Sequence, residues 1–519
     1  MPDEKATTPK DSDRASATPG NRDTTGSAST TASSAGATTV TTPAEPKDDV
    51  VTTRHTLKVG RRTLRYTATA GRVVLREEVL EEGVFKGHQA KAEMSLTSYV
   101  LDAPAGTNRP VTFAFNGGPG SSSVWLHLGL LGPRRVDSGD VGHLTPPPYG
   151  LLDNVETLLT VSDLVFIDPV STGYSRAVEG GKPKDYHGFK ADIESVGELI
   201  RLWTKRNNRW LSPKFVAGES YGTTRAAALA EHLQTAHGLY LNGLMLISSV
   251  LDFATVDFDF KNDRAFVDYL PTYAAVAHYH GKHGRKSLKT VLAEAEEYAA
   301  RDYPWALSRG NRLTTAERAE HVARLASLTG LSQEYVDRAD LRIEHVRFFT
   351  ELRRDERLAV GRLDARFTGP LAHGNAETWD ADPSHDAISG PYAAAWNHYV
   401  REELGYANDL PYTQISSVAH QEWSYKEFEA KPVDVSAQLA RAMRANPALK
   451  VHIAYGYHDG ATPYYGAQDV VAHLDIPAEL HENIEHAYYE AGHMMYVHEP
   501  SRLQQSRDLA SFVTRASGG

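Results

Sequence analysis

The feature that most constrains this chain is the pentapeptide Gly218-Glu219-Ser220-Tyr221-Gly222, set where an apolar strand gives way to a helix. Residues 213–217 read as the end of a buried strand, and residues 223–233 as a helix of small side chains. A serine between two glycines at such a junction is a nucleophile elbow. The tight turn thrusts the hydroxyl out of the sheet, and side chains at Gly218 and Gly222 would crowd the neighbouring elements. A chain built this way must also supply a parallel sheet, a base, an acid and an oxyanion site.

The sheet is legible as a rhythm of short apolar strands that end in polar loops: residues 111–115, 164–167, 215–217, 243–247 and 451–455. Between the second and third lies an amphipathic helix, about residues 187–207, with Ile193, Val196, Ile200 and Trp203 on one face. Such alternation predicts a mainly parallel sheet covered on both faces, with its chemistry at the carboxyl ends of the strands. Ahead of it, the alternating segments 63–67 and 72–76, with Gly60 and Gly71 read as turn residues, predict antiparallel strands. Residues 254–435 break the rhythm with helical patterns, among them a capping box at Thr314-Thr315-Ala316-Glu317 that opens a helix running to Gly330. This stretch reads as an inserted helical cap dividing the core into residues 51–253 and 436–519. Residues 1–50 hold almost no large apolar side chain and read as a disordered, low-complexity segment. The expected architecture is an α/β-hydrolase fold with an inserted cap.

Composition removes several chemistries. With no cysteine, the chain has no disulfide, thiolate nucleophile or zinc-thiolate site. A formal net charge of -11 argues against nucleic acid or an anionic membrane as the main partner. No apolar leader follows Met1 and no apolar run is long enough to span a bilayer, so the default expectation is a soluble, cytoplasmic protein. Oligomeric state is not encoded in any pattern seen here. His278, His280 and His283 cluster, but their spacing matches no tetrahedral metal template, and no metal or other cofactor is expected.

Serine is a weak nucleophile at neutral pH and needs a histidine to take its proton and an acid to orient that histidine. In this fold class they follow in the order Ser, acid, His. After Ser220, the next acid that directly follows a core strand in a small-residue loop is Asp459, in Gly456-Tyr457-His458-Asp459-Gly460. Among 23 histidines, His493 sits in a loop between the last strand candidate, residues 487–489, and a terminal helix carrying Leu503, Leu509 and Phe512. The loop Asn116-Gly117-Gly118-Pro119-Gly120-Ser121-Ser122-Ser123 follows the strand ending at Phe115. Its glycines let backbone N–H groups face the site, so Gly118 and Tyr221 are the expected oxyanion donors. It lacks the Gly-Lys-Ser/Thr ending of a phosphate loop. Trp125 and Met494 flank these motifs, where they either border the leaving-group pocket or pack in the core.

Four phrases occur in order: the Asn-Gly-Gly-Pro-Gly-Ser-Ser-Ser loop, residues 167–175 (Ile-Asp-Pro-Val-Ser-Thr-Gly-Tyr-Ser), Gly-Glu-Ser-Tyr-Gly, and Ala-Gly-His-Met. Together they resemble the serine carboxypeptidase family (carboxypeptidase C and cathepsin A-like), particularly its bacterial members, over roughly residues 55–515. The resemblance implies an exopeptidase that removes C-terminal residues from peptides through an acyl-enzyme. It carries the triad onto Ser220, Asp459 and His493, the oxyanion hole onto Gly118 and Tyr221, and recognition of the substrate's terminal carboxylate onto Asn116 and Glu219. Glu219 can bind a carboxylate only if a proton is shared between them. The family's second acid is replaced by Leu130, in Gly129-Leu130-Leu131-Gly132-Pro133, which keeps an acyltransferase or esterase as the rival reading.

Overall fold

The computed structural model describes residues 45–103, 108–142, 145–259, 261–429 and 431–518. The low-complexity reading of the N-terminal segment therefore falls almost wholly outside the described residues. A ten-stranded sheet organises the rest. In chain order its principal strands are β1 (Asp49–Val59), β2 (Arg62–Glu81), β3 (Val84–Leu101), β4 (Val111–Phe115), β5 (Asp163–Ile167), β6 (Lys214–Glu219), β7 (Gly243–Ile247), β8 (Lys450–Gly456) and β9 (Ile484–Tyr489). They lie side by side as β1-β2-β3-β5-β4-β6-β7-β8-β9, with the short strand Arg176–Ala177 paired to β3. The first three form an antiparallel meander, and β3 is antiparallel to β5. From β5 to β9 every pairing is parallel. Strands β4, β5, β6 and β7 are buried along their whole length, which is why they read as continuous apolar runs rather than alternating ones.

One expectation is corrected. Gly71 is not a turn residue: β2 runs straight through it and pairs with β1 on one side and β3 on the other. Its φ is +142°, and a Cβ there would lie 2.1 Å from the Asp49 carbonyl oxygen. The glycine admits a close backbone approach instead of a reversal. The turn belongs to Gly60 alone, in the left-handed region at φ +58°.

Helix α1 (Phe189–Arg206) and helix α2 (Tyr221–His237) pack against each other, and α2 lies against β6. The face of α1 that carries Ile193, Val196, Ile200 and Trp203 is buried in the same apolar cluster as Ala226, Ala227, Leu229 and Leu233 of α2. Between β7 and β8 the chain is mainly helical. Helices α3 (Arg264–Tyr279), α4 (Leu288–Ala300) and α5 (Thr315–Thr329) build an apolar core of their own. The capping box of α5 is formed by Thr314 and Glu317, and Gly330 closes the helix in the left-handed conformation. Helix α6 (Pro383–His398) instead buries Tyr392 and Trp396 in the sheet's second apolar cluster. A two-stranded ribbon, Leu358–Val360 with Thr368–Pro370, stands between these parts.

Candidate active site

Ser220 follows the last residue of β6 and is the N-cap of α2, with φ +61° and ψ -132°. A non-glycine residue in that region is strained, and the packing around it explains why it stays there. A Cβ on Gly218 would meet the Gly222 carbonyl oxygen at 2.1 Å, and one on Gly222 would meet the Phe115 carbonyl oxygen at 3.1 Å. The Ser220 N–H donates to the Ile247 carbonyl at 3.0 Å, which ties the elbow to the end of β7. The next residue of that strand end, Ser248, donates its hydroxyl to the His493 carbonyl at 2.6 Å. The elbow and the histidine loop are thus held at one end of the sheet through Ile247 and Ser248.

His493 and Asp459 are both buried, and Asp459 Oδ2 lies 2.8 Å from His493 Nδ1. Asp459 also accepts from the N–H groups of Ala461 (2.8 Å) and Thr462 (2.9 Å) and from the Thr462 hydroxyl (2.7 Å). These donors fix the carboxylate so that its remaining lone pairs aim at the imidazole. Burial pulls His493 down, but the charge and hydrogen bond of Asp459, with Glu219 adding to them, outweigh it. The imidazole is held above its usual value, Arg362 opposing. With Nδ1–H committed to Asp459, Nε2 is the nitrogen left for a proton from serine. No hydrogen bond joins Ser220 to His493 among the described residues, as is common before substrate binds.

Opposite the elbow, the loop after β4 comes close. A Cβ on Gly117 would lie 2.5 Å from the Tyr221 nitrogen and 2.6 Å from that of Gly222. Gly118 has φ +104°, a conformation open to glycine. Tyr221 is the first residue of α2, where an N–H has no acceptor within its own helix. The loop after β4 and the first turn of α2 therefore approach each other closely beside Ser220.

Asn116 and Glu219 are buried together. Asn116 Nδ2 donates to Glu219 Oε1 at 2.7 Å, while Asn116 Oδ1 accepts from the Leu126 N–H at 3.0 Å. Burial raises the Glu219 carboxyl to about 7, against the lowering effects of His493, Tyr496 and Asn116. Its second oxygen, Oε2, is buried with no hydrogen-bond partner. Trp125 donates Nε1–H to Ser121 at 3.0 Å and packs on Tyr392 with ring centroids 4.9 Å apart. Both Trp125 and Met494 belong to the second apolar cluster of the sheet, and each is almost fully buried. Leu130 is buried in the same cluster.

Several residues at the site were given no role by the sequence. Arg225, one turn into α2, is fully buried. It donates to Asp192 at 2.8 Å and to the Asn116 carbonyl at 2.7 Å, between the rings of Phe115 and Tyr221. A charged residue in a run of alanines was the available clue. The segment 362–366 donates or accepts bonds on both catalytic loops: Gly460 N–H to the Arg362 carbonyl, His493 N–H to the Leu363 carbonyl, and Gly492 N–H to Asp364. The three clustered histidines do not converge on one another's ring nitrogens. His278, His280 and His283 meet the carbonyls of Lys286, Ala365 and Ser327 respectively. No helix among the described residues is long and apolar enough to cross a membrane.

Against known proteins, the family described as serine carboxypeptidase matches residues 95–514. Among solved structures, the prohormone-processing carboxypeptidase Kex1(Δ)p from Saccharomyces cerevisiae is similar, with a TM-score of 0.54 at 15% identity, covering 87% of this chain and 91% of that one. The proline iminopeptidase of Mycobacterium smegmatis gives a TM-score of 0.33 at 11% identity, over 90% of this chain and 99% of that one. No curated protein sequence matches.

Proposed function

Since this chain belongs to the serine carboxypeptidase family and hydrolyses peptides as a serine-type carboxypeptidase, we propose that Ser220, His493 and Asp459 are the residues that perform the reaction. The observation that carries this reading is the 2.8 Å contact of Asp459 with His493 Nδ1, at the sheet end that also holds the Ser220 elbow.

His493 Nε2 takes the Ser220 proton as the serine oxygen attacks the scissile carbonyl carbon. The negative charge moves to the carbonyl oxygen, where the N–H groups of Gly118 and Tyr221 stabilise it. Collapse breaks the C–N bond, and the imidazolium returns its proton to the departing amine of the C-terminal residue. Water, deprotonated by His493, then hydrolyses the acyl ester and restores Ser220.

A free C-terminus is recognised by Asn116 and Glu219. The Glu219 carboxyl, neutral below about 7, donates to the substrate carboxylate, whose own pKa lies near ~3.5, so the shared proton resides on the enzyme. The amide of Asn116 holds Glu219 in place. Replacing Ser220 with Ala should abolish peptide hydrolysis and labelling by a fluorophosphonate. Undiminished release of C-terminal residues by that variant would refute the assignment.

A further inference from the structure

The corner occupied by Glu219 contains two polar groups that the protein itself leaves unused. Glu219 Oε2 and the Tyr496 hydroxyl are each buried without a hydrogen-bond partner. Buried polar atoms are nearly always paired, so two neighbouring exceptions call for a ligand or a water. Tyr496 lies in the helical turn Met495–Val497, three residues beyond His493. Its hydroxyl lies against both Glu219 and Asn116, yet completes a bond of good geometry with neither.

The ring is fixed from behind. A Cβ on Gly129 would lie 2.4 Å from Tyr496 Cδ2 and 2.5 Å from the Tyr392 hydroxyl, so the glycine is what admits both tyrosines to this wall. Leu130, next in sequence and buried beside it, brings no polar atom. Meanwhile Asn116 occupies Glu219 Oε1, which leaves Oε2 to carry the carboxyl proton. A phenolic O–H and a carboxylic O–H then lie together at the residue that precedes Ser220.

We propose that the Tyr496 hydroxyl is the second arm of the receptor for the substrate's terminal carboxylate, donating to one oxygen while the Glu219 carboxyl donates to the other. This inference rests on the reading that Asn116 and Glu219 receive a free C-terminus. A carboxylate satisfies both orphan groups at once. A C-terminal amide offers only one acceptor oxygen, so its NH2 faces an O–H donor and leaves a buried group unpaired. Discrimination against a ligand that cannot satisfy a buried donor is characteristically strong. The groups facing Glu219 are His493 and Asp459 from the two catalytic loops, Asn116 from the oxyanion loop, Tyr496, and Tyr392 of α6.

The test compares an N-acylated dipeptide with its C-terminal amide at pH 6, for the wild type, Tyr496→Phe, Glu219→Gln and the double variant. Tyr496→Phe should raise KM for the free acid about tenfold, the size of one hydrogen bond to a charged group, while kcat changes less than about threefold. The preference for acid over amide should shrink by the same factor. In the double variant the losses should be less than multiplicative, because both side chains hold one ligand group. Fluorophosphonate labelling of Ser220 reports that the site is intact, and Tyr496→Leu repeats the test should the first variant fail to accumulate. A wild-type enzyme that discriminates, with a Tyr496→Phe variant that discriminates equally, overturns the role of Tyr496 alone. A wild-type enzyme indifferent to amidation overturns the underlying reading as well.

Discussion

Replacing Glu219 with Gln is the perturbation with the most to say about this site. Burial lifts the Glu219 carboxyl to about 7, from an ordinary 4.5. That displacement is worth roughly 3 kcal/mol against the ionised form in the folded protein. Below the shifted value the side chain is a neutral hydrogen-bond donor, and above it an anion set beside the substrate's own carboxylate. For the wild type, kcat/KM on a free-acid peptide should fall about tenfold per pH unit on the alkaline side, or roughly 30-fold by pH 8.5. Gln cannot ionise and keeps an N–H donor. Its cost at pH 6 should be about 3- to 10-fold, since only the charge-assisted part of one bond is lost. The two profiles should therefore cross, with the variant poorer at pH 6 and better at pH 8.5. A second displacement accompanies the first. The Glu219 anion helps to raise His493, so its removal should move the acid limb to lower pH. Because the two groups interact, the limbs belong to the pair rather than to either residue. Stability gives an independent readout. A raised folded pKa means a contribution fully present below about 4.5 and lost as pH rises through about 7. Urea unfolding at pH 8.5 should thus find the variant relatively more stable than at pH 6, by roughly 1.4 kcal/mol, because about 2 kcal/mol of the loss has already occurred by pH 6. A variant whose alkaline limb stays parallel to that of the wild type would refute the assignment of that limb to Glu219.

Two further outcomes follow from the hydrogen bonds around the triad. Asp459→Asn should lower kcat by about 10³- to 10⁴-fold with little change in KM, because an amide N–H facing Nδ1 favours the wrong tautomer of His493. Fluorophosphonate labelling, followed by mass spectrometry, should slow in parallel. Arg225→Met leaves Asp192 buried without its partner and should destabilise the protein by about 3–5 kcal/mol. Adding Asp192→Leu should recover most of that loss in thermal unfolding. A double variant as unstable as the single one would mean that packing on Phe115 and Tyr221, rather than the ion pair, is what Arg225 supplies.

The parts of this molecule that could be read from the sequence are those where local chemistry leaves few choices. Gly218 is required by the backbone of Gly222, four residues on, and Gly222 by the backbone of Phe115 and Asn116 on the facing strand end; both glycines fall within five letters of the serine, so the elbow declares itself. Strands buried along their whole length, such as β4 and β7, appear as apolar runs for the same reason. Gly71 shows the limit of such reading. A glycine that permits the approach of another strand looks identical to one that permits a turn, and only the pairing of β1 tells them apart. Tyr496 was harder still, because its significance lies in a missing bond. Its neighbour in space, Glu219, is 277 positions away in sequence, and nothing local marks a hydroxyl that will find no partner.

The insertion between β7 and β8 contributes two different things to the site, and they differ in how tightly they are constrained. Helices α3 to α5 enclose an apolar core of their own and join the sheet's first cluster through Ala275 and Leu292. The segment 362–366 is tied to the catalytic loops themselves. Its carbonyls at Arg362 and Leu363 accept from Gly460 and His493, its Ala365 N–H donates to the His458 carbonyl, and Arg366 reaches the Glu490 carbonyl. The buried Asp364 carboxylate, held below its usual value because Arg366 outweighs the burial that would raise it, accepts from Gly492. A Cβ on Gly492 would in turn collide with Asp364 at 2.5 Å. The loops carrying the acid and the base are therefore joined through one short stretch of the insertion and not only through the sheet. A catalytic hydrogen bond tolerates little misplacement. The insertion must consequently be folded for Asp459 and His493 to be held as they are.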